Sequence, residues 1–132
     1  MTVPRQTSDA YPRGLRGQVV CVNTILYCEK WADTVTFYKI GLQLPVTVTR
    51  EWFVEFRLTD TTCLSIADAC RTAKNSSRGE GHLITFQVHD LEETRSRLCR
   101  NGLAPTPIKT HPWGARVMYL NDPEGNRLEF WC

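Results

Sequence analysis

The chain runs through the same order of elements twice, and this repetition limits its possible folds more than any single motif does. Val19 to Cys28 is a strand-like run, followed by a helical stretch from Lys30 to Ile40 with Trp31, Val35 and Tyr38 on one face and Gly41 as a stop. The order returns with a strand from Leu83 to Val88. There Asp90 and Glu93 form a D-x-x-E capping box for a helix that carries Leu91 and Leu98 and stops at Gly102. Gly41-Leu42 and Gly102-Leu103 lie 61 positions apart, and so do Trp52 and Trp113. Three strands complete each half: Leu44 to Val48, Trp52 to Leu58 and Cys63 to Ala67, then Ala104 to Ile108, Ala115 to Leu120 and Arg127 to Trp131. The expected fold is α+β, a duplicated β-α-β-β-β module.

A chain of 132 residues with 42% hydrophobic residues is sized for one globular domain. Residues 1–17, with two prolines, three arginines and no periodicity, read as a flexible tail. Residues 18–132 read as the domain, with module one at about 18–70 and module two at about 81–132. A net charge of +2 without a basic, aromatic-interleaved patch argues against nucleic-acid binding. No apolar run is long enough to span a membrane. The six cysteines contain no C-x-x-C pair and no signal peptide precedes them, so they read as reduced thiols of a cytoplasmic protein.

The closing hairpin supplies the first candidate for chemistry. Asn121-Asp122-Pro123-Glu124-Gly125-Asn126 is a polar turn, and the strand after it alternates: Leu128 and Phe130 on one face, Arg127, Glu129 and Trp131 on the other. Glu129 therefore leaves the core side.

These residues resemble the vicinal oxygen chelate superfamily, the glyoxalase, bleomycin-resistance and extradiol dioxygenase group. The resemblance rests on Thr24-Ile25-Leu26-Tyr27 before a helix with Phe37-Tyr38 and Gly41-Leu42, on Phe86-Gln87-Val88-His89-Asp90-Leu91, on Trp113-Gly114, and on Asp122 to Glu129. It implies a curled mixed sheet around a cavity, helices outside, and commonly a homodimer. It also implies metal ligands on the first and last strand of each module. Those positions fall here on Asn23, Ser65, Leu83 and Glu129, of which only Glu129 is a strong donor. His82 is one residue out of register, on the opposite parity to Leu83, and reads as a structural or strand-edge histidine. No cofactor is expected on this reading. The alternative is a divalent metal held by Asn23, His82 and Glu129.

Strand parity then gives the cavity face: Asn23, Tyr27, Phe53, Glu55, Arg57, Ser65, Thr85, Gln87, Tyr119, Arg127, Glu129 and Trp131. Rings with a few hydrogen-bonding groups suit a small organic ligand. Glu129 is the candidate catalytic carboxylate, although Arg57 and Arg127 favour an ordinary ion pair for it. His89 and His111 are expected to be exposed. Three functions follow: a metal-independent binding protein, a glyoxalase-type lyase, isomerase or dioxygenase using Glu129, and an assembly module without a ligand.

Overall fold

The computed structural model describes residues 14–132, so most of the expected tail lies outside the described residues. Its last part, Leu15–Gly17, is a single exposed turn of 3-10 helix.

The first module runs β1 (Val22–Cys28), α1 (Trp31–Thr36), β2 (Val46–Arg50), β3 (Phe53–Thr59) and β4 (Thr62–Asp68), with a short α2 (Ala69–Thr72) after it. The second runs β5 (Ile84–Gln87), α3 (Leu91–Arg100), β6 (Lys109–Thr110), β7 (Arg116–Asn121) and β8 (Arg127–Trp131). Each module makes its own four-stranded mixed sheet, ordered β1-β4-β3-β2 and β5-β8-β7-β6. In both, the first strand lies parallel to the last and the remaining pairs are antiparallel. The expected curled sheet is thus built from two unclosed halves. Residues 24–27 of β1 and residues 82–85 at β5 line a cleft of about 490 Å³ between them.

Four boundaries moved for identifiable reasons. β1 begins at Val22, not Val19, because its partner β4 begins at Thr62 and leaves Val20 84% exposed with nothing to pair. β2 starts after Pro45, and β6 starts after Pro105 and Pro107, since proline brings no N–H to a ladder. The helix expected through Ile40 is α-helical only to Thr36 and widens into a π-type turn over Phe37–Gly41.

The repeat is real but its spacing drifts. Ser65 pairs across from Glu55 as Glu129 pairs across from Tyr119, so the last strands keep the 64-residue offset read from Cys63 to Ala67 and Arg127 to Trp131, against 61 for the Gly-Leu and Trp pairs. Trp52 and Trp113 both sit in the hairpin before the third strand, at different positions within it. The two stop glycines also differ. Gly41 is buried, and a Cβ there would come within 2.9 Å of Leu103, whereas Gly102 has the left-handed φ of +87° that ends α3.

One core joins the modules: Leu26, Phe56, Leu64 and Ile66 from the first sheet, Met118, Leu120, Leu128 and Phe130 from the second, with Tyr38, Leu91 and Leu98 from the helical segments. Alternation along each strand turns the intervening residues to the opposite, inner face.

Candidate functional site

The inner face of module one carries a continuous chain of hydrogen bonds. The Ser65 hydroxyl donates to Asn23 Oδ1 at 2.8 Å, and Asn23 Nδ2 reaches Glu55 Oε1 at 3.5 Å. Thr47 donates to Glu55 Oε2 at 2.6 Å. The parallel β1–β4 register and the antiparallel β3–β4 register put these groups side by side, with Ser65 fully buried at the centre. Thr47 joins them through a bulge between Val46 and Val48 that carries it beside Glu55, a feature that period-2 alternation does not signal. Arg57 does not pair with either carboxylate; it donates to the Asp60 carbonyl at 3.1 Å. Tyr27 lines the cleft between the sheets, and Phe53 leans on Trp52 with ring centroids 5.3 Å apart.

Module two presents a second group. Thr85 Oγ1 donates to Glu129 Oε1 at 2.9 Å, and the Arg127 guanidinium lies 4.2 Å over the Tyr119 ring centroid as a cation–π contact. Burial, followed by the neighbouring Glu129 carboxylate, raises the Tyr119 hydroxyl above its ordinary value, and Arg127 works against them. The ion pair expected for Glu129 is therefore not made. Arg127 is spent on a ring, and among the described residues neither Glu129 nor Glu55 has a salt-bridge partner. Gln87 is exposed and Trp131 half-buried beside this group. Glu55 and Glu129 do not share a hydrogen-bond network, each belonging to its own sheet.

The polar turn between β7 and β8 has a different job from the one its exposure in sequence suggests. Asp122 Oδ1 accepts from the backbone N–H groups of Glu124 and Asn126, both at 2.9 Å, and Asp122 Oδ2 accepts from Tyr38 at 2.7 Å and from the Asn126 amide at 2.8 Å. Glu124 accepts from the N–H groups of Glu29 at 2.9 Å and Lys30 at 2.8 Å, donors left free at the start of α1 because Lys30 offers no side-chain cap. Burial opposes the Glu124 charge. The Ser76 hydroxyl, these two N–H groups and the Lys30 charge outweigh it and hold the carboxyl below its ordinary value. Tyr38 is fully buried and is pushed up by that burial and by Asp122.

His82 precedes β5, and its Nε2 lies 3.0 Å from Asn126 Oδ1, the edge of the same network. It is not grouped with Asn23 and Glu129. Of the four family ligand positions, Asn23 has its oxygen occupied by Ser65, Leu83 has no donor atom, and Ser65 is a neutral hydroxyl. Among the described residues no three His, Cys, Asp or Glu side chains converge. This donor set does not fit a transition metal. His89 is exposed, whereas His111 is half-buried and stacks on Trp113 at 4.4 Å, a correction to its expected exposure. Two sulfurs also meet on the inner face: Cys21 and Cys63, with Sγ atoms 3.9 Å apart.

Paired β-α-β-β-β sheets, each with a polar inner face and a shared core behind, define a glyoxalase-type α+β protein. Residues 19–130 match the family model described as the Glyoxalase/Bleomycin resistance protein/Dioxygenase superfamily, and the chain belongs to that superfamily. It is 28% identical over 122 residues to YraH of Bacillus subtilis (strain 168), covering 80% of this chain and 92% of that one. Its fold is similar to lactoylglutathione lyase from Agrobacterium tumefaciens, with a TM-score of 0.70 at 20% identity over 83% of this chain and 90% of that one. A glyoxalase/bleomycin resistance protein/dioxygenase from Nocardioides gives 0.69 at 21% identity over 98% of this chain and 85% of its own. At such identities the likeness is one of fold. No helix among the described residues is long and apolar enough to cross a membrane.

Proposed function

We propose that the chain is a small-molecule-binding protein of the glyoxalase/bleomycin-resistance type, a cytoplasmic homodimer that holds an organic ligand without a transition metal. The observation that carries this reading is the donor set at Asn23, Ser65, Leu83 and Glu129, where hydrogen-bonding and apolar groups stand in place of metal ligands. Tyr27, Phe53, Tyr119 and Trp131 offer ring faces, and Glu55 and Glu129 offer carboxylates without a cationic partner among the described residues. Such a surface suits a ligand with an aromatic body and hydrogen-bond donors. Ile25 and Leu83 are 41% and 47% exposed at the edges of the two sheets, apolar area that a second copy would cover. Free thiols throughout fit a reducing compartment.

Native mass spectrometry with elemental analysis tests it. A dimer free of bound metal after incubation with nickel, zinc, iron and manganese is the expected result. Stoichiometric uptake of any of them would favour the second reading, a glyoxalase-type lyase, isomerase or dioxygenase. That reading draws on Glu129, a carboxylate with no arginine partner among the described residues and next to the Tyr119 hydroxyl, as ligand or acid/base. In that case Glu129→Gln abolishes metal uptake and turnover together.

A further inference from the structure

Cys21 and Cys63 have no part in the ligand-binding reading above, and their placement is specific. The β1–β4 register sets Asn23 opposite Cys63, so Cys21 stands two residues earlier on the same face. Their sulfurs are 3.9 Å apart, and among the described residues no other two thiols are in hydrogen-bond contact. Cys21 is exposed and lies just outside β1, where the first anchored group is the Val22 N–H on the Thr61 carbonyl at 3.0 Å. Cys63 is 3% exposed and fixed inside β4. A disulfide needs sulfurs about 2.05 Å apart. Closing the remaining distance falls to the residue that no ladder holds.

We propose that Cys21 and Cys63 are a hydroperoxide-responsive dithiol, a modification site that closes to an intrachain disulfide at the rim of the first module's inner face. Exposure sets the order of events. The Cys21 thiolate attacks one oxygen of hydrogen peroxide, the O–O bond breaks, and the released hydroxide takes a proton to leave as water, with sulfenic acid left on Cys21. The Cys63 sulfur then attacks the Cys21 sulfur. The S–S bond forms, the S–O bond breaks, and hydroxide departs as water with the Cys63 proton. Two thiols lose two electrons and two protons, and one peroxide becomes two waters. A small thiol such as dithiothreitol reverses the step by exchange. The product ties the start of β1 to β4 beside Asn23 and Ser65, closing a loop between residues 42 apart in sequence. Reversible disulfides of this kind are the form in which oxidation is used in reducing compartments.

The test uses the full chain, treated with one equivalent of hydrogen peroxide and then alkylated. Expected are an intact mass lower by about 2 Da before alkylation, a Cys21–Cys63 linked peptide, and full reversal by dithiothreitol. The thermal midpoint of the oxidised protein rises by about 5–15 °C. Cys21→Ser removes the linkage, and so do Cys63→Ser and Cys63→Ala. In the two Cys63 variants a sulfenic acid on Cys21 is trapped by dimedone, while Cys99→Ser behaves like the parent. Oxygen additions of about 32 or 48 Da on Cys21 without a linked peptide would overturn the proposal. Linkage of Cys21 to any other cysteine, of the same chain or a second copy, would overturn it as well.

Discussion

Two sets of acidic groups in this molecule behave in opposite ways. In the β7–β8 turn, Asp122 and Glu124 are 5% and 8% exposed, and between them accept six hydrogen bonds, four on Asp122 and two on Glu124. On the inner face, Glu129 and Glu55 accept from hydroxyls and an amide, and no cation among the described residues pairs with them. A carboxylate whose partners are backbone N–H groups, a buried amide and a core tyrosine is part of the fold's framework. One left facing an open surface has capacity for something else. The recognisable motif from Asp122 to Glu129 therefore contains both kinds, framework first and site last.

That contrast can be broken or sharpened by substitution. Asp122→Ala leaves the Tyr38 hydroxyl and the Asn126 amide without their acceptor and is expected to cost about 4 kcal/mol, read by urea unfolding. A loss under 1 kcal/mol would mean the turn is not framework. Gly79→Ala comes next, at roughly 3 kcal/mol. Gly79 has a φ of +85°, and a Cβ there would lie 2.0 Å from the Gly125 carbonyl oxygen, backbone of the same turn that cannot swing aside.

Glu124→Gln is expected to cost about 2 kcal/mol and carries a pH signature. The folded-state carboxyl lies below its ordinary value, so its contribution is present above about pH 4.5 and is lost as the pH falls through the folded value. Parent and variant should thus converge in stability in acid, and a constant difference down to pH 2.5 would contradict it. Glu129→Gln should change stability by no more than about 0.5 kcal/mol while weakening ligand binding or metal uptake, whichever the protein shows. Equal losses at Glu124 and Glu129 would erase the distinction.

Much of the architecture was legible because duplication shows itself in one dimension. Strand alternation placed Glu55, Ser65, Tyr119 and Glu129 on the inner face and Leu128 and Phe130 in the core, since period-2 geometry needs only the local run. What failed depended on contacts across the chain. Arg127 was expected to pair with Glu129, yet alternation fixes only which face a side chain takes, not which neighbour it chooses, and it chose the Tyr119 ring. The Asp122 and Glu124 network was invisible for a similar reason, its partners Tyr38, Glu29 and Lys30 lying more than eighty residues away. The D-x-x-E box was half right. Asp90 caps α3 by accepting from the Glu93 N–H, but the Glu93 side chain turns to Arg97 and Arg100.

The Glu124 contact has a consequence for biosynthesis. The α1 helix receives its N-terminal acceptor from a residue made 94 positions later. On a ribosome, the opening half would thus wait with two backbone N–H groups facing water until the final hairpin had been translated. The two halves look like repeats, yet the earlier one cannot finish its own helix. Their duplication became, at this one turn, a dependence of the older segment on the newer.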